Sequence, residues 1–143
     1  MKRGKKMTQN EVKTELSAAA AAYRRYHAKH DEMMAFAEQL TIRPMLYAGS
    51  GGNSSKVNGT EAGYVALEAL EDKVHELYMK WLAARDRVCD MIGLLEDYDA
   101  AAVLTYRYLN GCSYEQIAAI MGISDRQVFR LHKSGLKILS NLL

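Results

Sequence analysis

Two long stretches of the chain repeat apolar residues in alternating steps of three and four, the spacing of one face of an α-helix. The first stretch also contains the alanine run 18–22, whose helix propensity is the highest available. Its stripe, with His30 in one slot, consists of Val12, Leu16, Ala19, Tyr23, Tyr26, Met33, Ala37 and Leu40. We predict one helix from about residue 10 to 41, ended by Pro44, because proline disfavours helix in the residue before it.

The second stripe contains nine apolar residues without interruption. They are Leu67, Leu70, Val74, Leu77, Trp81, Ala84, Val88, Met91 and Leu95. We predict a helix from about 60 to 97, capped by Thr60, and a loop over residues 44–59, which hold four Gly, three Ser and two Asn without periodicity. The two stripes can pair as an antiparallel hairpin within one chain or as a coiled coil between chains, and the pattern leaves both open.

The remaining residues are predicted to form three short helices separated by turns. Asp97 or Asp99 can cap the first helix, which we expect to stop at Asn110 and Gly111. Two capping boxes then open the next two helices, and Gly122 separates them. These boxes are Ser113 with Gln116 and Ser124 with Gln127. Ala118 and Gly122 stand at the spacing of a helix-turn-helix, although three merely packed helices would use the same skeleton.

The last helix is predicted to have one apolar and one cationic side. Taking Val128 as the centre of the buried face, successive residues advance by about 100°. His132 then falls near the buried face and is predicted to be a packing residue. Arginine can read guanine, glutamine can read adenine and lysine can neutralise phosphate, so we predict DNA contacts on the outer side, with a solvated charged face as the alternative. The predicted DNA-binding residues are Arg126, Gln127, Arg130, Lys133, Ser134 and Lys137.

Composition and charge agree with an all-α protein that meets a polyanion at one end. The chain has 143 residues, of which 49% are hydrophobic, enough for one domain or for a small domain with an oligomerisation element. Residues 1–10 carry a net charge of +4, residues 11–99 carry −5 and residues 100–143 carry +3. Basic ends and an acidic middle suggest that one end meets a polyanion while the middle meets protein or solvent.

Other site classes are not indicated by the sequence. Cys89 and Cys112 lack the spacing of a disulfide framework or a zinc site. His27, His30 and Asp31 lack a clear further ligand, and no nucleophile with a base, phosphate loop or carboxylate pair stands out. We therefore expect no metal, no cofactor and no enzymatic activity. No apolar run is long enough to cross a membrane and no secretory signal is present, so we expect a cytoplasmic protein.

The segment from Leu104 to Leu139 resembles the C-terminal helix-turn-helix of bacterial sigma factors, the region that reads the −35 promoter element. The residues that carry the resemblance are Arg107, Tyr108, Ser113 to Ala118, Gly122 to Ser124, Val128, Leu136 and Leu139. Over a wider span, the order of a long helix, a Gly/Ser-rich loop, a second long helix and a sigma-like end is similar to small phage regulators of Gram-positive bacteria, the RinA and ArpU type. Nothing in the chain matches the sigma segment that melts the −10 element.

The resemblance implies control of transcription, commonly of late phage genes. The predicted organisation is a flexible basic tail at 1–9, two long helices within 10–97 that form an oligomerisation or partner surface, and a trihelical DNA-binding domain at 98–143. We expect a homo-oligomer that binds double-stranded DNA, with RNA polymerase as a further candidate partner. Two alternatives remain: a protein-interaction module that contacts RNA polymerase, and a small DNA-packaging recognition subunit of a phage.

Overall fold

The computed structural model describes residues 6–47 and 54–143, and nearly all of them are helical. The helices are α1 (Gln9–Tyr47), α2 (Ser54–Ile92), α3 (Tyr98–Leu104), α4 (Tyr114–Met121) and α5 (Asp125–Leu142). A π-helical turn, Thr105–Leu109, continues α3, and the Asn110 amide donates to the Thr105 carbonyl oxygen at 3.1 Å. The described ranges contain no strand, and the all-α prediction is confirmed. No helix within them is both long and apolar enough to cross a bilayer.

Helix α1 begins with a cap that the sequence analysis did not include. The Thr8 hydroxyl accepts a hydrogen bond from the Glu11 amide at 3.2 Å, and the Glu11 carboxylate accepts one from the Thr8 amide at 3.3 Å. The Ser140 hydroxyl donates to the Met7 carbonyl oxygen at 2.6 Å, and the Met7 side chain packs against the core. Residues 7–9 of the predicted flexible tail are therefore held in place, while residues 1–5 lie outside the described residues.

The inner ends of the long helices differ from the predicted loop at 44–59. Helix α1 continues through Pro44 to Tyr47, and α2 already begins at Ser54, while residues 48–53 lie outside the described residues. Pro44 has no amide hydrogen and adds no hydrogen bond of its own, but the helix is already formed before it and extends only three residues beyond it. Pro44 stands near the end of α1, and Gly59 lowers helix stability by only about 1 kcal/mol.

The outer end of α2 is also displaced, from the predicted residue 97 to Ile92. The Leu94 and Leu95 amides donate to carbonyl oxygens three residues earlier, at 3.1 and 3.0 Å, which tightens the last turn before the chain changes direction. The Asp97 carboxylate then accepts from the Asp99 and Ala100 amides and caps α3. Leu95 leaves the helix but stays buried in the core.

The chain divides into two compact units, Tyr23–Lys80 and the combination of Met1–Ala22 with Trp81–Leu143. In Tyr23–Lys80, α1 and α2 pack antiparallel. The rings of Tyr26 and Tyr78 lie 5.4 Å apart, and the Leu40 side chain lies against Gly63. The two long helices therefore form a hairpin within one chain.

In the other unit, the C-terminal helices share their main core with the outer ends of α1 and α2. The residues buried together are Val12, Leu16 and Ala19 from α1, Ala84, Val88 and Ile92 from α2, Ala100 and Leu104 from α3, Leu136 and Leu139 from α5, with Leu95 and Tyr108. A second cluster joins Val103, Ile117, Ala118 and Val128. The buried side of α5 therefore packs against α4 near the start of the helix and against the ends of the long helices further along.

Gly135 allows α5 to cross α3 closely. A Cβ atom at this position would stand 3.1 Å from Leu104 Cδ1, tighter than ordinary van der Waals contact, and 3.4 Å from Leu104 Cγ. We expect Gly135→Val to reduce the free energy of unfolding by about 1–3 kcal/mol, since a branched side chain cannot enter this packed crossing without moving Leu104. Urea denaturation measures the change.

Ala119→Val, at an exposed position of α4, is the control: it replaces the best helix former, so its loss is an upper bound on the propensity effect at position 135, where valine replaces the poorer helix former glycine. A loss in Gly135→Val no larger than that in Ala119→Val would contradict the close crossing.

Candidate nucleic-acid interface

Local hydrogen bonds define the starts of α4 and α5, and a glycine makes the turn between them. The Ser113 hydroxyl accepts from the Gln116 amide at 3.1 Å, and the Ser124 hydroxyl accepts from the Gln127 amide at 3.2 Å. Each glutamine side chain bonds back to the serine amide, which completes both predicted capping boxes. Gly122 ends α4 with a φ of 68°, a left-handed conformation that glycine adopts without strain. The two helices are thus joined by the tight turn of a helix-turn-helix.

Helix α5 is amphipathic in the way that its sequence pattern predicts. Its buried residues are Val128, His132, Gly135, Leu136 and Leu139. Leu142, the last residue of the helix, falls on the same side at 100° per residue but is 57% exposed. The opposite side of α5 remains turned to solvent.

Four cations occupy that solvent side, and we call them the cationic face: Arg126, Arg130, Lys133 and Lys137. All four are exposed, and none has an ion-pair partner within 4.0 Å among the residues that the structure describes. The two acids of residues 100–143, Glu115 and Asp125, lie in the first turns of α4 and α5, where a negative charge interacts favourably with the helix dipole. The cationic face is therefore open to an external anion.

The other two predicted contact residues are less free. Gln127 is exposed, but its side-chain oxygen accepts from the Ser124 amide at 3.2 Å, so its amide NH2 group is the part left to donate outward. This NH2 group can donate to one acceptor on a base. Recognition of adenine by two hydrogen bonds, as predicted from the sequence, would also require the side-chain oxygen. Ser134 is half-buried at the edge of the cationic face.

A buried polar pair supports α5 from behind. The Tyr108 hydroxyl and His132 Nε2 lie 2.7 Å apart, and the two rings stack with centroids 5.6 Å apart. Burial raises the pKa of Tyr108 to about 12. Burial lowers the pKa of His132 to about 4, helped by the positive charges of Lys13 and Arg107. Both side chains are thus neutral at pH 7, and His132 packs as the sequence predicts.

Arg107 acts on the structure from the π-helical turn. Its guanidinium donates to the Cys112 carbonyl oxygen at 3.2 Å and lies 4.4 Å above the centre of the Tyr114 ring. The Tyr114 ring in turn lies 4.5 Å from Phe129 on α5 and 5.5 Å from His132. This cluster ties α4, α5 and the π-helical turn together just behind the cationic face.

The sequence pattern does not point to two exposed residues, Lys13 near α5 and Phe129 on α5 itself. Val12, beside Lys13, is buried in one cluster with Leu136 and Leu139, so the first turns of α1 lie near α5. The positive charge of Lys13 helps to lower the pKa of His132. Only the tertiary fold joins residues so far apart in the chain. Phe129 is 53% exposed on α5 itself. One exposed aromatic residue leaves the apolar periodicity of the helix unchanged, so the pattern does not single it out.

The remaining candidate groups do not assemble into a second site. His27 Nδ1 lies 3.2 Å from an Asp31 carboxylate oxygen on an exposed part of α1. In the described ranges, no three His, Cys, Asp or Glu side chains are grouped so that they could hold a metal ion. Cys89 and Cys112 are both free and half-buried.

Residues 98–139 match the family model of sigma-70, region 4. The matched segment begins at the start of α3 and ends within α5, so it covers the helix-turn-helix and not the long hairpin. No curated protein and no solved structure matches the chain. Sigma-70 region 4 is a DNA-binding regulatory domain and not an enzyme family. The match therefore supports a sigma-like helix-turn-helix and a role in DNA binding or transcription regulation.

The low pKa of His132 predicts a loss of stability in mild acid. An unfolded histidine has a pKa of about 6.5, so the unfolded chain binds a proton that folded His132 takes up only near its pKa of about 4. The contribution of neutral His132 to the free energy of unfolding is therefore fully present above about pH 6.5, and it is lost as the pH drops from there towards 4. We expect the free energy of unfolding to decrease by about 1 kcal/mol between pH 6.5 and 5, as measured by denaturation in urea.

The variant His132→Gln isolates this effect, because glutamine still offers a hydrogen bond to Tyr108 but does not titrate. Its stability should vary less across the same pH range. His75→Gln, at an exposed position of α2, should keep the wild-type dependence. An equal pH dependence in His132→Gln and the wild type would show that His132 is not the responsible group.

Proposed function

We propose that this chain is a sequence-specific DNA-binding transcription regulator in which α5 enters the major groove. The observation that carries the proposal is the cationic face: four cations without an ion-pair partner among the described residues lie on the outer side of a helix whose inner side is buried. The match of residues 98–139 to sigma-70, region 4 supports the same function. The order of two long helices and a sigma-like end favours a phage-encoded regulator.

The position of each side chain along α5 suggests its role. The N-terminal residues of a recognition helix approach the base edges most closely, whereas later residues lie nearer the backbone. Arg126 and Arg130 are therefore proposed to read bases, with Gln127 as a further donor. Lys133 and Lys137 are proposed to contact phosphates, with Ser134 at the edge.

We propose that the hairpin of Tyr23–Lys80 joins two copies of the chain. Val74 is the one buried hydrophobic side chain among the described side chains of this unit. Large apolar side chains are more than half exposed on both helices, namely Met34 at 54%, Tyr64 at 55%, Val65 at 67% and Met79 at 51%. Closed pairs with two-fold symmetry are the commonest oligomers, and a second hairpin would cover this surface. The two recognition helices would then read half-sites about 34 Å apart, or a multiple of that spacing.

The central test compares the binding of selected and scrambled DNA. The full chain is used to select duplexes from a random pool at low salt, and fluorescence anisotropy measures affinity between about 50 and 200 mM salt. We expect affinity to fall steeply with salt, and Arg130→Ala to weaken binding to the selected duplex about 5- to 150-fold while affecting the scrambled duplex much less. Lys137→Ala should weaken both and lower the salt slope by about 1.

Arg85→Ala removes an exposed cation from α2 and serves as the control, with binding expected to remain at the wild-type level. A chain that binds no duplex at low salt, or binds with the same affinity at every salt concentration, is not a DNA-binding regulator. Co-purification with RNA polymerase but without a DNA footprint would instead favour the interaction module.

The oligomeric state tests the role of the hairpin. Val65 and Met79 lie on one side of α2, since 14 residues correspond to nearly four whole turns. We expect the wild type to be a dimer, and the double variant Val65→Glu with Met79→Glu to be a monomer of unchanged helical content, because four carboxylates would have to be buried in the dimer. Native mass spectrometry and circular dichroism measure these properties.

Ala28→Glu, at an exposed position of α1 away from Met34, should leave the dimer intact. A wild-type monomer would contradict the proposed dimer. A closed ring of about eight or more copies would favour the DNA-packaging subunit.

A further inference from the structure

Phe129 lies at the border of the cationic face. The ring is 53% exposed. At about 100° per residue, Phe129 stands about 60° around the helix from Arg126 and about 40° from Lys133. An element that inserts the cationic face into the major groove brings the Phe129 ring to the base edges as well.

The Phe129 ring is supported from the side of α4. It lies 4.5 Å from the Tyr114 ring at an interplanar angle of 37°. Tyr114 is held in turn by the Arg107 guanidinium above its face and by the edge contact with His132. A ring that already packs on one side loses less freedom on binding than a free side chain does. Phe129 therefore offers a preorganised apolar surface.

The charges around Phe129 favour DNA over an apolar protein surface as its partner. Docking the ring into a protein pocket would also desolvate Arg126 and Lys133, neither of which has a partner among the described residues. The major groove instead offers an apolar group beside anionic and hydrogen-bond-accepting ones. That group is the C5 methyl of thymine, which phenylalanine is known to contact.

We infer that Phe129 packs against the C5 methyl group of a thymine and makes the chain prefer thymine at one position of its site. The inference rests on the proposed function, because it requires α5 to lie in the major groove. It adds an apolar contact to a surface otherwise made of cations and polar groups.

Deoxyuridine tests the inference directly, because it differs from thymidine only by the missing methyl group. In the duplex selected by the wild type, each thymine is replaced in turn by uracil and the Kd is measured. We expect one position at which the replacement weakens binding about 3- to 5-fold, the effect of one buried methyl group. Phe129→Ala should bind the thymine and uracil duplexes equally well and keep the wild-type salt slope.

Two further variants control for indirect effects. Ile120→Ala removes an equally exposed apolar side chain from α4 and should keep the discrimination against uracil. Phe129→Leu preserves an apolar side chain and should keep part of the discrimination against uracil. Melting temperatures of all variants establish that the comparison is made between folded proteins.

The failure of the inference differs from the failure of the proposed function. If the wild type binds no duplex, the proposed function itself is wrong and the inference falls with it. If the wild type binds duplex but discriminates against uracil at no position, or if folded Phe129→Ala discriminates as the wild type does, DNA binding stands and the role of Phe129 is overturned.

Discussion

The packing of α5 against its neighbours determines which of its sides is presented to a ligand. Gly135 brings α5 within van der Waals contact of Leu104, while Val128 is buried with Ile117 and Ala118. Rotating the helix would bury lysine and arginine in an apolar core, which is prohibitive without partners for their charges. The outward position of the cationic face is therefore a consequence of core packing.

The same core explains why the helix-turn-helix is not an isolated module. Helices α3 and α5 bury their apolar residues against the first turns of α1 and the last turns of α2, and the Met7 carbonyl oxygen is bonded to Ser140. A segment of about 45 residues forms only a small core by itself. The ends of the long helices enlarge that core and hold the C-terminal half of α5, whereas α4 holds its N-terminal half.

Much of this arrangement could be predicted because it depends on local hydrogen bonds and periodicity. Serine and glutamine three residues apart define the starts of α4 and α5, and the apolar spacing around Val128 identifies the buried side. The helix ends near Pro44 and Ile92 differ from the predicted ones. Cooperative extension determines the end of α1, and the turn into α3 determines the end of α2. The bond of Tyr108 to His132 and the support of Phe129 by Tyr114 join separate elements, so no local pattern reveals them.

The most direct measurement is an NMR titration of the ¹⁵N-labelled full chain with a selected duplex. We expect the arginine side-chain Nε–H signals of Arg126 and Arg130 and the amide signals of the first half of α5 to shift most, while the Arg24 and Arg85 side-chain signals stay in place. Shifts confined to the long helices, or none in α5, would contradict the assignment of the cationic face as the DNA-reading surface.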